Sequence, residues 1–203
     1  MWFDNVVGIS IPAGEVAEIA VDGRTLWKKP SGGQYPFMEY LQFNKNRRFD
    51  TGIVPTEDTV LEITFTREDS NAAYLYGVRD SSNTASVTAY LSTSGGWRFG
   101  NKYKGYSLAL DTVHTAKVQK SGITMDGAKT SWTISDFTAN ATLVVGTSRG
   151  TSGSWASAQF IGKIYSFKMY SGSTLVLDWL PCKNESGEEG FFDNVTSAFV
   201  RPI

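Results

Sequence analysis

From Phe160 to Asn184 the chain reads FIGKIYSFKMYSGSTLVLDWLPCKN, and this stretch limits what the rest can fold into. Ile161, Tyr165, Phe167 and Met169 recur at even spacing, and beyond Ser171-Gly172-Ser173 so do Leu175, Leu177 and Trp179. A period of two is that of a strand, whose successive side chains point to opposite faces. Two such runs around a short glycine-containing loop predict a β-hairpin with one face in a core. The other face is mixed: Gly162, Ile164, Ser166 and Lys168, then Thr174, Val176 and Asp178. The hairpin is therefore expected in an antiparallel sheet with one side less buried. Pro181 has no N–H to give to a ladder, so the second strand is expected to leave the sheet there.

Shorter runs elsewhere repeat the pattern. In 60–67, Leu61, Ile63 and Phe65 alternate with Glu62, Thr64 and Thr66. In 85–92, Val87, Ala89 and Leu91 alternate with Ser86, Thr88 and Tyr90. Residues 74–78, 113–119 and 143–146, and a strand around Ser131-Trp132-Thr133-Ile134, add more strands between polar turns, while 95–104 carries Trp97, Arg98, Phe99 and Tyr103 near glycines. No segment sustains a 3.6-residue apolar period. Many short strands separated by Gly, Ser and Asn turns predict an all-β, two-sheet antiparallel β-sandwich. Its expected core holds Leu61, Ile63, Phe65, Val87, Leu91, Val118, Phe167, Leu177 and Trp179, by their common phase.

Residues 1–30 stand apart as a short N-terminal β-module, with Asp22-Gly23 as its hairpin turn. A segment of that length cannot bury a core of its own. Residues 31–35, with Ser31-Gly32-Gly33, form the expected linker, and 36–203 the sandwich. Ile11, Ile19, Leu26 and Trp27 are the expected attachment residues of the module, so a partner or a homo-oligomer is anticipated through 1–30.

Charge excludes several classes. With 19 basic and 20 acidic residues, nothing points to nucleic acid or to an anionic membrane. No apolar run reaches the roughly 20 residues of a membrane span. The first residues, MWFDNVVGIS, lack the basic start of a signal peptide, so synthesis in the cytoplasm without classical export is expected. The single cysteine, Cys182, rules out an internal disulfide framework and leaves the redox compartment open. The sequons at Asn140, Asn184 and Asn194 are then read as accidents of a Ser/Thr-rich sequence.

Several runs also carry a resemblance: GKIYSFKMY, TLVLDWLPCKN and GFFDNVTSAF near the end, HTAKVQKSGITMDG in the middle, and FMEYLQFNKNRRFDTGIVP at the start. Together they resemble laminin-G-like, concanavalin A-like lectin-fold domains, in the variety found in bacteriophage tail or minor structural proteins. Residues 1–30 resemble the short β-modules that precede binding domains in such proteins. The resemblance covers roughly 36–200. It implies a jelly-roll fold and a virion location. It also implies a non-catalytic role, either tail or baseplate adhesion to host-surface carbohydrate, or decoration of a capsid or tail without a ligand. A polysaccharide-degrading enzyme is the third class, but the Glu-x-Asp-x-x-Glu strand of glucanases on this fold is absent.

No catalytic constellation is expected from the residues. His114 is the one histidine and lies in phase with Ala116 and Val118, which predicts a packed, hydrogen-bonded side chain and makes zinc-type clusters improbable. Glu188-Glu189 sits in a turn, where adjacent carboxylates diverge. Calcium is the cofactor the family resemblance leaves open, through the loop oxygens of RDSSN and REDSN. For ligand binding the candidates are Trp97, Tyr103, Tyr106 and Trp155, with Arg149, all expected in Gly/Ser-rich loops. The opposing expectation is that these aromatics fold back as lids on the sandwich edges.

Overall fold

The computed structural model describes residues 18–21, 24–28, 35–92, 95–150 and 153–203, the strands within 18–28 by backbone alone. The chain divides into two compact units, Met1–Gln34 and Tyr35–Ile203. In the first, β1 (Glu18–Val21) pairs antiparallel with β2 (Arg24–Lys28), Ile19 opposite Trp27. Ile11 and the side chains of Ile19, Leu26 and Trp27 lie outside the described residues, as do residues 31–34 of the expected linker.

The second unit is all-β among its described residues and holds two antiparallel sheets. The larger runs β12 (Ala128–Ser131), β11 (Gly122–Met125), β10 (Val113–Gln119), β5 (Thr59–Arg67), β14 (Gly162–Ser171), β15 (Thr174–Lys183), β16 (Glu189–Asp193), β17 (Ala198–Val200), with β3 (Leu41–Phe43) also against β14. The smaller runs β4 (Phe49–Asp50), β13 (Val144–Val145), β6 (Ala73–Val78), β7 (Ser86–Leu91), β8 (Gly96–Gly100), β9 (Lys102–Gly105). The chain passes from one sheet to the other between β3 and β4, β4 and β5, β5 and β6, β9 and β10, β12 and β13, and β13 and β14. That alternation is the winding of a jelly-roll β-sandwich.

The two inner faces interdigitate through aromatic rings. Phe65 meets Trp97 at 6.1 Å, Phe167 meets Tyr76 at 6.1 Å, and Trp179 meets Phe49 at 6.0 Å, each pair drawn from opposite sheets. All nine residues expected in the core by phase are buried. Their burial is the main favourable term holding the sheets together.

Two details of the 160–184 hairpin differ from the sequence expectation. The register of β14 against β5 shifts between Ile164 and Ser166, so Ile164 is fully buried while Tyr165 turns outward, its ring edge-on to Tyr40. A bulge opposes two residues to one and reverses the phase on either side. Pro181 also stays within β15, opposite Phe191 of β16. The pairing of β14 ends at Trp179, and the segment of Phe37 takes over along this edge. There the Pro181 carbonyl accepts from the Met38 amide at 2.9 Å.

The Asp126-Gly127 turn has φ of 48° and 82°, both positive as a two-residue hairpin turn of this twist requires. The Asp126 carboxylate accepts from the Thr115 amide at 2.7 Å and holds Nδ1 of His114 at 2.7 Å. Nε2 of His114 lies 3.0 Å from the Ala109 carbonyl. The histidine–Asp-Gly motif thus staples β10 to the turn beyond β11, and His114 is a buried structural residue.

Candidate functional site

Alternation in the smaller sheet sends Val87, Ala89, Leu91, Trp97 and Phe99 into the core and the intervening residues outward. On that outer face Tyr74 of β6 stands opposite Tyr90 of β7, their ring centroids 4.6 Å apart. Tyr90 in turn stands opposite Gly96 of β8. Above Gly96 lies the ring of Tyr103 from β9: a Cβ on Gly96 would come within 2.1 Å of it. Three tyrosine rings therefore cross four strands in one row, roughly 14 Å at the usual strand spacing.

Two arginines flank the row. Arg79 lies 5.6 Å over the Tyr74 ring and donates to its hydroxyl at 2.9 Å. Arg98 lies 5.6 Å over the Tyr103 ring and donates to the Asn83 carbonyl at 3.4 Å. The Asn83 carbonyl is placed by a loop folded around Asp80, whose carboxylate accepts from the hydroxyls of Ser82, Thr84 and Ser86 and the Thr84 amide. Burial by itself would raise that carboxyl, but the Ser82 and Ser86 hydroxyls and the Thr84 and Ala85 amides outweigh it and hold it well below the usual range. Tyr103, with one side of its ring seated on Gly96, is still 54% exposed. A flat ring, a cationic donor beside it and no side chain beneath form a surface that can stack on the apolar face of a ligand and bond to its hydroxyls.

Of the ligand candidates read from the sequence, only Tyr103 belongs to this face. Trp97 is a correction: it is 1% exposed, inward in phase with Phe99, and packs on Phe65 and Tyr76. It cannot stack on anything outside the core. Tyr106 packs partly against the core, with its hydroxyl donating to Thr130 at 3.2 Å and Lys104 5.9 Å over its ring. Trp155 and Arg149 do meet, but on each other. The guanidinium carbons of Arg48 and Arg149 lie 4.6 and 4.5 Å from the Trp155 ring centroid. Arg149 is also committed to Asp50 at 2.8 Å and Thr142 at 2.6 Å. Tyr74, Tyr90, Arg79 and Arg98 were not among the candidates. The signal for Tyr90 was an aromatic on the polar phase of its strand.

Several oxygens of the RDSSN and REDSN loops are engaged by the chain itself. The Asp69 carboxylate accepts from the backbone and side-chain amides of Asn71, both at 2.8 Å. The buried Arg67 guanidinium takes the carbonyls of Asp69 at 2.7 Å, Ser70 at 2.6 Å and Ser92 at 3.2 Å. A fixed cation already sits where these carbonyls converge. Among the described residues no three His, Cys, Asp or Glu side chains gather as a metal-binding group.

No family model matches the chain, and a search of curated proteins finds no match. Among solved structures it is similar to a native heptameric SAP-like pentraxin from Limulus polyphemus, at 12% identity and a TM-score of 0.43, over 68% of this chain and 74% of that one. It is also similar to domains LG4-5 of the mouse laminin alpha1 chain, at 13% identity and a TM-score of 0.44. That match covers 70% of this chain and 43% of the laminin chain. The fold stands on strand order and register, not on these likenesses.

Proposed function

We propose that this chain is a non-catalytic adhesion protein of a bacteriophage virion that binds host-surface carbohydrate through the outer face of its smaller sheet. The observation that carries the binding is the row of Tyr74, Tyr90 and Tyr103, flanked by Arg79 and Arg98, with Tyr103 seated on Gly96 and open to solvent. The virion setting, at the tail or baseplate and with attachment to other particle proteins or a second copy through residues 1–30, is supported by the sequence resemblance.

The partners of the acidic side chains support a non-catalytic role. Asp193 accepts from the Asp178 and Val195 amides and the Thr196 hydroxyl, which holds the β16–β17 turn. Asp178 is paired with Lys168 at 3.5 Å and accepts from Asn194 at 3.0 Å. Glu188 pairs with Arg201 at 3.2 Å, and Glu189 with Arg47 at 3.0 Å. Together these carboxylates hold turns and strand ends.

A glycan array tests the proposal on the whole chain and on Tyr103→Ala and Arg98→Ala variants. Binding that falls about fivefold in both variants is expected, since a stacked ring and its flanking cation each contribute on the order of 1 kcal/mol. An array with no binder would leave a ligand-free decoration protein as the function.

A further inference from the structure

A second concavity lies at one end of the larger sheet and shares no residue with the tyrosine face. It has a volume of about 470 Å³, within the range of small-ligand sites. It forms where the β10–β11 turn, the segment after β12, the start of β5 and the β14–β15 turn at Gly172 come together. Trp132, Val60 and Ile134 give it apolar walls, and Asp58, Gln119 and Lys120 bring polar groups to it. The indole is fixed in place: its Nε1 donates to the Gln119 carbonyl at 2.9 Å, and its backbone amide to the Ser121 carbonyl at 3.3 Å. The wall is therefore preorganised, and a ligand need not pay to order it.

Charge at the rim narrows the ligand class. The Lys120 ammonium is 3.1 Å from Asp136 and 3.8 Å from Asp58. Its hydrogen bond to Asp136, with the charges of Asp136, Asp58 and Glu57 behind it, raises its pKa above the ordinary value, so it stays charged. An anion would find the cation already neutralised and would face three carboxylates. A cation would have to approach the Lys120 ammonium, which already lies against Asp136 and Asp58. An uncharged ring with an apolar face and a hydroxyl edge meets neither obstacle, because each rim group can still donate or accept one further bond.

We propose that this cavity is a second saccharide site that takes one uncharged pyranose residue, stacked on Trp132 and bonded at its hydroxyls by Lys120, Asp58 and Gln119. It does not depend on the tyrosine face. The site is open and small, so affinity for a free monosaccharide is on the order of 1 mM.

The test is a titration of the isotope-labelled full chain, followed at the Trp132 indole N–H resonance, which is assigned from Trp132→Phe. The probes are the methyl glycosides of glucose, galactose, mannose and N-acetylglucosamine, with glucuronic acid and glucosamine as charged counterparts. A saturable shift with at least one uncharged glycoside is expected, weakened several-fold by Lys120→Ala and unchanged by Tyr103→Ala; in Trp132→Ala, which lacks that resonance, the titration is followed at the Gly172 backbone amide and binding falls about tenfold. Lys120 is exposed, so Lys120→Ala decides the matter if Trp132→Ala does not fold. No shift with any uncharged glycoside overturns the proposal, as does a shift confined to glucuronic acid or glucosamine. A shift abolished by Tyr103→Ala but kept in Lys120→Ala assigns the sugar to the tyrosine face and removes this site. Loss of array binding in Tyr103→Ala with the Trp132 shift intact leaves both sites standing separately.

Discussion

Gly96 and Tyr103 show how a single missing side chain can shape a surface. The Tyr103 ring occupies the space a Cβ on Gly96 would need, at 2.1 Å, and what it would displace is the outer end of a flexible side chain. Gly96→Ala should therefore tilt the ring off the sheet at a stability change below about 1 kcal/mol. Glycan binding should fall as far as it does in Tyr103→Ala, and an array with a melting curve on both variants checks this. Full binding by Gly96→Ala alone would mean that the seat of the ring is irrelevant. Asp80 works one step behind, holding the loop whose Asn83 carbonyl takes Arg98. Its folded carboxyl is held below the unfolded value, so ionised Asp80 adds stability above about pH 4, and that contribution fades as pH drops further. The melting temperatures of the wild type and Asp80→Asn should differ by a constant amount from neutral pH down to about 5, then converge below about 4. A gap that does not change with pH would show that the carboxylate charge is not what the loop uses. Cys182 has the opposite environment: burial pushes its thiol up to about 12, so alkylation of the native protein should be far slower than of the unfolded chain.

At the scale of elements, strict alternation is what the sequence displays well, and bulges are what it hides. The phase of β5, β7 and β10 follows directly from Leu61-x-Ile63-x-Phe65, Val87-x-Ala89-x-Leu91 and Ala116-x-Val118, and all of these residues are buried. In β14 the same logic holds only beyond Ser166, because the shift after Ile164 inverts the residues before it. A bulge is set by pairing with the neighbouring strand, so a single strand's sequence does not show it. The tyrosine face was half legible for the same reason. Tyr90 sits on the visible polar phase of β7, whereas Tyr74 precedes a register shift between Tyr74 and Tyr76 that hides its facing. Trp97 misled in another way: Gly95, Gly96 and Gly100 around it suggest a loop, but β8 keeps its period and turns Trp97 inward with Phe99. Trp155 has no local pattern at all, since Arg48, one of its partners, lies far away in the chain. Phe167 gives the energetic test of the phase beyond the bulge. It is fully buried between Tyr76 and Trp179, so Phe167→Ala should cost about 3–5 kcal/mol in a denaturant titration. A loss below about 1 kcal/mol, the size of a surface change, would contradict its place in the core.

For the whole molecule the open question is what the first unit does for the second. The sandwich closes on itself from Tyr35 onward. The Tyr35 ring packs on Phe192 and Phe199 at 5.4 and 5.7 Å, and Phe37 meets Phe192 edge-on at 6.1 Å. These contacts hold the first residues of the unit on the outer side of β16 and β17, apart from the inner core. The strands of both sheets of the sandwich lie within Tyr35–Ile203. Residues 1–30 carry Ile9, Ile11, Val16, Ile19, Val21, Leu26 and Trp27, too many apolar residues to leave in water and too few for a core. Their expected use is attachment, to other particle proteins or to a second copy of the chain. A chain starting at Gln34 should therefore be a folded, soluble monomer with an unchanged β-type circular dichroism spectrum. The full chain should be oligomeric or particle-bound, and Trp27→Ala should weaken that association most, because aromatic side chains dominate subunit contacts. Light scattering on the three proteins and their occupancy in purified particles decide the matter. Equal oligomeric state and occupancy for the long and short chains would remove the attachment role. Unfolding of the short chain would instead make residues 1–30 part of what stabilises the sandwich.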